Sequence, residues 1–119
     1  MRLLVASLAV LACSLFLVSC GDEEQPPADG GTTSFEITFE GGRVSPSGAE
    51  ATVPQGSDVE LVVEADEPGV LHVHSSPEQQ LSYAAGTTTV RVALADQPPG
   101  VIDIESHDLD EVVLRLEIR

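Results

Sequence analysis

Two of the three histidines in the chain, His72 and His74, stand two positions apart in the apolar run "LHVHSS". On a β-strand, residues spaced in this way point to the same face and lie about 6.5–7 Å apart. His107 is the third histidine, and it could reach the pair from a neighbouring loop. Three neutral imidazoles suit Cu(II) or Zn(II), so the sequence predicts a copper or zinc site formed by these residues. Nearby carboxylates could complete the coordination shell: Glu78, Glu105 and Asp108.

The alternative interpretation is that the histidine pair lies on a wet strand face and binds no metal. Leu71 and Val73 are expected to face the core, which places the two imidazoles on the opposite face of that sheet. There they would pair with carboxylates of the acidic turns, such as Asp66, Glu67 or Asp108, and would titrate near neutral pH.

The sequence lacks the residues and motifs that common types of enzyme catalysis need. The chain has no lysine and no Gly-rich phosphate loop, and no cysteine follows Cys20. Ser75, Ser76 and Ser106 lie near histidines in the sequence, but no nucleophile-elbow motif accompanies them. We therefore expect that the protein is not an enzyme.

The first nineteen residues have the pattern of an export signal. Arg2 precedes an uncharged apolar run from residue 3 to 18, as in the n- and h-regions of a secretory signal. The run is shorter than the roughly twenty apolar residues that a membrane-spanning helix needs. It ends in "LVSC", which resembles the lipobox of bacterial lipoproteins. The resemblance implies that residues 1–19 are a signal peptide, cleaved before Cys20, and that the Cys20 thiol is lipidated.

Lipidation of Cys20 predicts a protein that is anchored to the extracytoplasmic face of the cell membrane, because multiple acyl chains hold a protein stably. The alternative is an ordinary secretory signal that ends in a chance cysteine. Cys13 would leave with the signal, so the mature domain would have no disulfide, thiolate nucleophile or thiolate ligand. Residues 20–34 comprise the lipidated cysteine and a Gly-, Pro- and acid-rich segment, which is predicted to be a disordered tether.

The charge of the mature part excludes one class of partner. All twenty acidic residues follow Cys20, but only four of the five basic residues do, which leaves the net charge near −16. Such a surface repels nucleic acid and anionic lipid headgroups, and we expect no nucleic-acid partner.

Residues 35–119 are predicted to form one all-β domain. Apolar residues alternate with polar ones in several short runs, for example at Val59, Leu61 and Val63, and turn signals recur every eight to twelve residues. This pattern predicts a sandwich of seven or eight short antiparallel strands. The last strand is expected to turn four side chains toward the core: Val112, Leu114, Leu116 and Ile118.

Three segments, "ATVPQGSDVELVVEAD", "VLHVHSS" and "QPPGVIDIESHDLDEVVLRLEIR", resemble cupredoxin-like domains in their order. They are most similar to the small cupredoxin-like lipoproteins of high-GC Gram-positive bacteria. The resemblance implies a Greek-key β-sandwich over residues 35–119, with metal ligands from the His-Val-His strand and from the last loop. Glu105 and Ser106 stand where that family has its copper-binding cysteine, and the axial methionine is missing. A blue-copper site needs both, so electron transfer by such a site is excluded.

The run "HVHSSPEQQLSYAAG" also nearly matches the first metal-binding motif of cupins. The second cupin motif would need a histidine close behind Pro-x-Gly, but six residues separate Gly100 from His107. A cupin is therefore the weaker alternative.

Two hypotheses follow. The first is a lipid-anchored, extracytoplasmic cupredoxin-like protein that binds copper or another divalent metal through the three histidines. The second is a metal-free β-sandwich used for protein interaction or envelope structure. The distances among the imidazole nitrogens distinguish the two, because separations beyond about 8 Å, without a loop movement, would count strongly against a shared metal.

Overall fold

The computed structural model describes residues 32–119. The predicted signal peptide, the predicted lipidation site Cys20 and most of the predicted tether lie outside the described residues. Within residues 32–119, no helix is long and apolar enough to cross a membrane. The described part contains nine β-strands: β1 (Thr33–Glu40), β2 (Arg43–Ser45), β3 (Ala49–Val53), β4 (Val59–Ala65), β5 (Gly69–Val73), β6 (Gln79–Tyr83), β7 (Gly86–Val92), β8 (Gly100–Ser106) and β9 (Glu111–Ile118).

The strands form two sheets that enclose one core. The four-stranded sheet has the order β2-β1-β4-β7, and the five-stranded sheet has the order β3-β9-β8-β5-β6. The prediction of an all-β sandwich is confirmed. β1 begins at Thr33, where its pairing with β4 starts, which is earlier than the domain boundary expected at Phe35.

Two strand pairs are parallel, whereas the sequence pattern suggested only antiparallel ones. β1 pairs with β4 and β3 pairs with β9 in the same direction. The cause is the path of the chain, which crosses between the sheets several times, so that strands separated in sequence become neighbours. The described residues also contain more strands than expected, because the three-residue β2 and the Gln-rich start of β6 conceal the alternation of apolar and polar residues.

The core is aliphatic, as the composition indicates. The positions of β4 and β5 that were expected to face inward are buried, with Leu61, Val63, Leu71 and Val73 all at 0% exposure. Burial of such side chains stabilises the fold by about 1.5–3 kcal/mol each. The inward direction of Leu71 and Val73 turns the side chain between them, that of His72, to the outer face of the five-stranded sheet.

β9 contains a β-bulge at the point where it passes the end of β8. Ile104 pairs with Leu114 but the next residue, Glu105, pairs with Val112, so Val113 is the extra residue. Val113 is fully buried and takes the inward position that strict alternation assigns to Val112, which is only half-buried. The bulge lies beside the turn that carries His107.

Asp58, directly before β4, fastens the loop that follows β7. Its carboxylate accepts hydrogen bonds from the backbone N–H groups of Leu94 and Ala95, at 2.8 and 3.0 Å, and from the guanidinium of Arg91. These bonds, led by the one from Arg91, lower the pKa of Asp58 below its ordinary value of 3.8. The Asp58 side chain is 12% exposed but that of Arg91 is 72% exposed, so solvent weakens the contact with Arg91 more than the bonds to the backbone.

We expect Asp58→Asn to destabilise the fold by about 1–2 kcal/mol at pH 7, because charge-assisted hydrogen bonds become neutral ones. A lowered pKa contributes stability above the ordinary value, and this contribution is lost as the pH falls through the lowered pKa. The difference between wild type and variant should therefore shrink below pH 3.8. Urea unfolding at pH 7 and pH 3 measures it, with Asp96→Asn, an exposed carboxylate of the same loop, as the control. A constant difference across pH would contradict this assignment.

Candidate metal centre

The outer face of the five-stranded sheet carries His72 near the end of β5. Its direct cross-strand neighbours are Gln80 of β6 and Glu105 of β8. The His72 side chain is 16% exposed, because the neighbouring side chains cover most of it.

His74 lies just beyond the end of β5 but continues its pairing with β8. Its backbone N–H donates a hydrogen bond to the carbonyl oxygen of Asp103, at 2.9 Å. The imidazole consequently lies on the same face as that of His72, and the two rings stack with centroids 4.6 Å apart and planes inclined by 14°.

His107 reaches the pair from the turn between β8 and β9. Its ring centroid lies 4.7 Å from that of His72, with an angle of 50° between the planes. One nitrogen atom from each of His72, His74 and His107 can be chosen so that the three lie within 4.8 Å of one another. The three histidines therefore meet at one place, as the metal hypothesis requires.

Two carboxylates complete the cluster. Glu78 contacts Nε2 of His72 at 3.0 Å and Nδ1 of His74 at 3.5 Å. Glu105 contacts Nε2 of His74 at 2.9 Å and Nε2 of His107 at 3.5 Å. We refer to His72, His74, His107, Glu78 and Glu105 as the histidine cluster.

The carboxylate partners differ from those expected for the metal-free interpretation. Within residues 32–119 the ion pairs of the histidines are made by Glu78 and Glu105, and none is made by Asp66, Glu67 or Asp108. Of the three carboxylates suggested as additional ligands, two are thus in the cluster. Sequence spacing carries part of the signal, since Glu78 follows His74 by four positions and Glu105 precedes His107 by two.

Contacts within the cluster shift the pKa values of His74 and Glu78. The hydrogen bond that the His74 ring donates to the Glu105 carboxylate is the main cause that raises the pKa of His74 above its ordinary value of 6.5. The hydrogen bond with His72 is the main cause that lowers the pKa of Glu78 below 4.5. A protonated His74 between two carboxylates adds a stabilising interaction that is complete below pH 6.5 and is lost as the pH rises through its raised pKa. Because 39% of the His74 side chain is exposed, solvent screening keeps this stabilisation small.

We expect Glu105→Gln to lower the pKa of His74, since the variant removes the negative charge and the strongest acceptor beside that ring. NMR titration of the imidazole signals in the metal-free protein measures the change. Glu117→Gln is the control, because Glu117 is an exposed carboxylate on β9 of the same sheet and its ion pair is formed with Arg119. An unchanged His74 titration in Glu105→Gln would contradict the pairing.

No family model matches the sequence, and no curated protein matches it significantly. Several solved structures are similar in fold. A purple cupredoxin from Nitrosopumilus maritimus matches with a TM-score of 0.51 and 11% identity, over 73% of this chain and 99% of that one. A multi-copper oxidase from Pseudomonas thermotolerans matches with a TM-score of 0.46 and 17% identity, over 74% of this chain and 30% of that one. A blue copper oxidase from Nitrosomonas europaea has a TM-score of 0.45 and 16% identity, over 81% of this chain and 47% of that one.

The first of these matches shows the fold: the domain is a cupredoxin-like β-sandwich, and the predicted fold class is confirmed. Ser106, one of the two residues that stand where the resemblance places a copper-binding cysteine, is fully buried between the sheets. Its hydroxyl has no hydrogen-bond partner in the described part of the chain. The histidine cluster lies instead on the outer face of a sheet, where the imidazoles of His74 and His107 are accessible to solvent.

The donor set of the histidine cluster fits a divalent metal. Imidazole nitrogen suits copper and zinc, and carboxylate oxygen adds a harder donor that compensates positive charge. The soft sulfur donors that favour Cu(I) are absent from residues 32–119, which contain no cysteine or methionine. The cluster can therefore hold Cu(II) or Zn(II) without the thiolate chemistry of a blue-copper site.

Proposed function

We propose that this protein binds copper(II), or another divalent metal such as zinc, through His72, His74 and His107. The observation that carries the proposal is the approach of one nitrogen from each histidine to within 4.8 Å of the other two. Two ligands of one metal ion at bond lengths near 2.0–2.1 Å lie at most about 4 Å apart. Small side-chain rotations therefore suffice to bring the three nitrogens around one ion.

The site is suited to binding and release of the ion. His107 is 62% exposed and Glu78 is also 62% exposed, so an ion can enter and leave from solvent. When bound, the ion would supply Lewis acidity at an open surface position. The chain's own residues would hold it and, through Glu78 and Glu105, offset its charge. We propose a binding function that involves neither enzymatic turnover nor blue-copper electron transfer.

A metal-free β-sandwich used for protein interaction or envelope structure is the second candidate. One observation favours it: the ring nitrogens of all three histidines already contact carboxylate oxygens, so the cluster satisfies its polar groups without an ion. In this case the histidines and glutamates would serve as a polar network that joins β5, β8 and the two loops.

Titration of the purified protein with Cu(II) and Zn(II), in competition with a chelator of known affinity, tests the two candidates. Saturation at one ion per chain, with signals from imidazole nitrogen in the Cu(II) EPR spectrum, is expected for the first. Absence of stoichiometric binding for both ions would reject it and leave the metal-free function.

We further propose that the protein is anchored to the extracytoplasmic face of the cell membrane by lipid on Cys20. The support is the apolar segment that ends in "LVSC" and the acidic segment that follows it. The acidic mature part also supports the expectation that no nucleic acid is bound.

We expect Cys20→Ser to abolish lipid attachment, because serine lacks the thiol that carries the acyl group. Metabolic labelling with a fatty acid, together with fractionation of membrane and soluble material, measures this. Cys13→Ser is the matched control and should still be labelled, since Cys13 would leave with the signal peptide. Labelling that persists in Cys20→Ser would refute the assignment of the anchor.

A further inference from the structure

The loop that joins β5 to β6 carries two members of the histidine cluster, His74 and Glu78, and is tied down along its length. His74 is held through its backbone to Asp103. The Ser75 hydroxyl donates to the carbonyl oxygen of Pro77, at 2.7 Å, and is only 5% exposed. A loop with these bonds has little freedom to move the imidazole relative to the carboxylate.

Two glutamine side chains outside the cluster each form a pair of hydrogen bonds with the backbone of one residue in this region. Gln79 accepts from the N–H of Ala93 and donates to the carbonyl oxygen of the same residue, both at 2.9 Å. Gln97 accepts from the N–H of Ser76 at 3.1 Å and donates to the carbonyl oxygen of that residue. We call these two interactions the glutamine clamps.

The clamps connect the β5–β6 loop to the loop that follows β7. Gln79 directly follows Glu78, and its amide also donates to the Ser75 hydroxyl at 2.8 Å. Gln97 reaches Ser76 from the opposite loop and is itself buried, at 7% exposure. The opposite loop is in turn fixed to the start of β4 by Asp58.

Glutamine suits this task for a chemical reason. The end of its side chain carries both a carbonyl acceptor and an NH2 donor. It can therefore pair with the N–H and the carbonyl oxygen of a single residue, as the backbone of a neighbouring β-strand does. A buried amide such as that of Gln97 costs free energy unless both of its groups are paired, and here both are. The pairing therefore selects one position of the loop relative to β7.

We propose that Gln79 and Gln97 are positioning residues of the metal centre: through the glutamine clamps they hold the β5–β6 loop so that Glu78 lies across His72 and His74. This inference rests on the proposed function, because a change in metal affinity can follow only if the histidines bind a metal. The effect acts through preorganisation, since residues that orient ligands without touching the metal typically change its affinity about 10–100-fold.

The test uses Gln79→Leu and Gln97→Leu, which retain the approximate size of the side chain and remove the amide. Val53→Ala is the control, because Val53 is a buried residue of β3, on the edge of the five-stranded sheet opposite to β6. We expect each leucine variant to bind Cu(II) about tenfold more weakly than the wild type when the measurement is made on fully folded protein. The control should be destabilised to urea and should bind Cu(II) with unchanged affinity.

A second measurement on the metal-free protein distinguishes this inference from the proposed function. In the wild type the N–H of Ser76 should be protected from hydrogen exchange, and NOEs should connect the rings of His72 and His74. Both signals should weaken in the leucine variants. If the wild type binds no metal, the proposed function fails and these two signals alone decide the positioning role.

Unchanged Cu(II) affinity and unchanged ring NOEs in both folded leucine variants would overturn the inference and leave the clamps a purely structural role. If a leucine variant does not fold, the wild-type measurement still decides: rapid exchange of the Ser76 N–H would show that the loop is not held, and slow exchange would support the clamp.

Discussion

Replacement of His72, His74 and His107 together by alanine is expected to weaken Cu(II) binding at least a hundredfold. Loss of residues that only orient ligands already costs about 10–100-fold in metal affinity, and loss of the ligands themselves must cost more. The change should have little effect on stability, because the three side chains lie on the outer face of the sheet and in a turn. Competition titration and Cu(II) EPR measure the affinity and the nitrogen ligation.

Single variants show whether the three histidines act on one ion. If they do, each of His72→Ala, His74→Ala and His107→Ala should weaken binding by about tenfold or more. Glu60→Gln/Glu64→Gln is the control for diffuse attraction of cations by the acidic surface, since these carboxylates belong to β4 of the other sheet. Unchanged Cu(II) affinity in the triple variant, or an equal loss of affinity in the control, would refute the proposed site.

Leu71→Ala is expected to destabilise the domain by about 2–5 kcal/mol, the cost of removing a large aliphatic side chain from a packed core. Leu71 is fully buried, at 0% exposure, in the strand that carries His72. Native proteins have only about 5–15 kcal/mol of total stability, so this loss would be a large fraction of it. Urea unfolding followed by circular dichroism measures the difference.

The adjacent residue provides a matched control for this variant. Val70 lies on the outer face of the same strand and is 41% exposed. Val70→Ala should change the free energy of unfolding by no more than about 0.5 kcal/mol, as is usual for surface positions. Equal effects of the two substitutions would mean that the faces of β5 are assigned wrongly, and with them the outward direction of His72.

The fold class was predictable because apolar and polar residues alternate in many short runs along the chain. The alternation at Val59, Leu61 and Val63 specifies a strand with one buried face, and this face is buried in the structure. The strand β6 was not predicted, because it begins with two polar residues, Gln79 and Gln80, which interrupt the alternation of apolar and polar residues. The parallel pairing of β1 with β4 was not predicted either, because strand order depends on how the chain crosses between the sheets.

The candidate site was predictable in part for a related reason. Residues two positions apart on a β-strand point to the same face of the sheet. The approach of His72 to His74 therefore follows from the sequence once the strand is recognised. The position of His107 depends on the turn between β8 and β9. No local pattern specifies how such a turn folds over its neighbouring strand.

The sequence by itself determined the class of the fold, the aliphatic core, the outward face of β5 and the absence of sulfur ligands beyond Cys20, because each depends on residue type or on a period of two. The tertiary structure alone decided that His107 meets the pair, and that Glu78 and Glu105 are the carboxylates that contact the histidines. It also decided that the side chains of Gln79 and Gln97 form hydrogen bonds between the β5–β6 loop and the loop that follows β7. The physical reason is that these contacts join residues as far apart in sequence as His72 and His107, and only the tertiary packing of the strands and turns sets the distances between them.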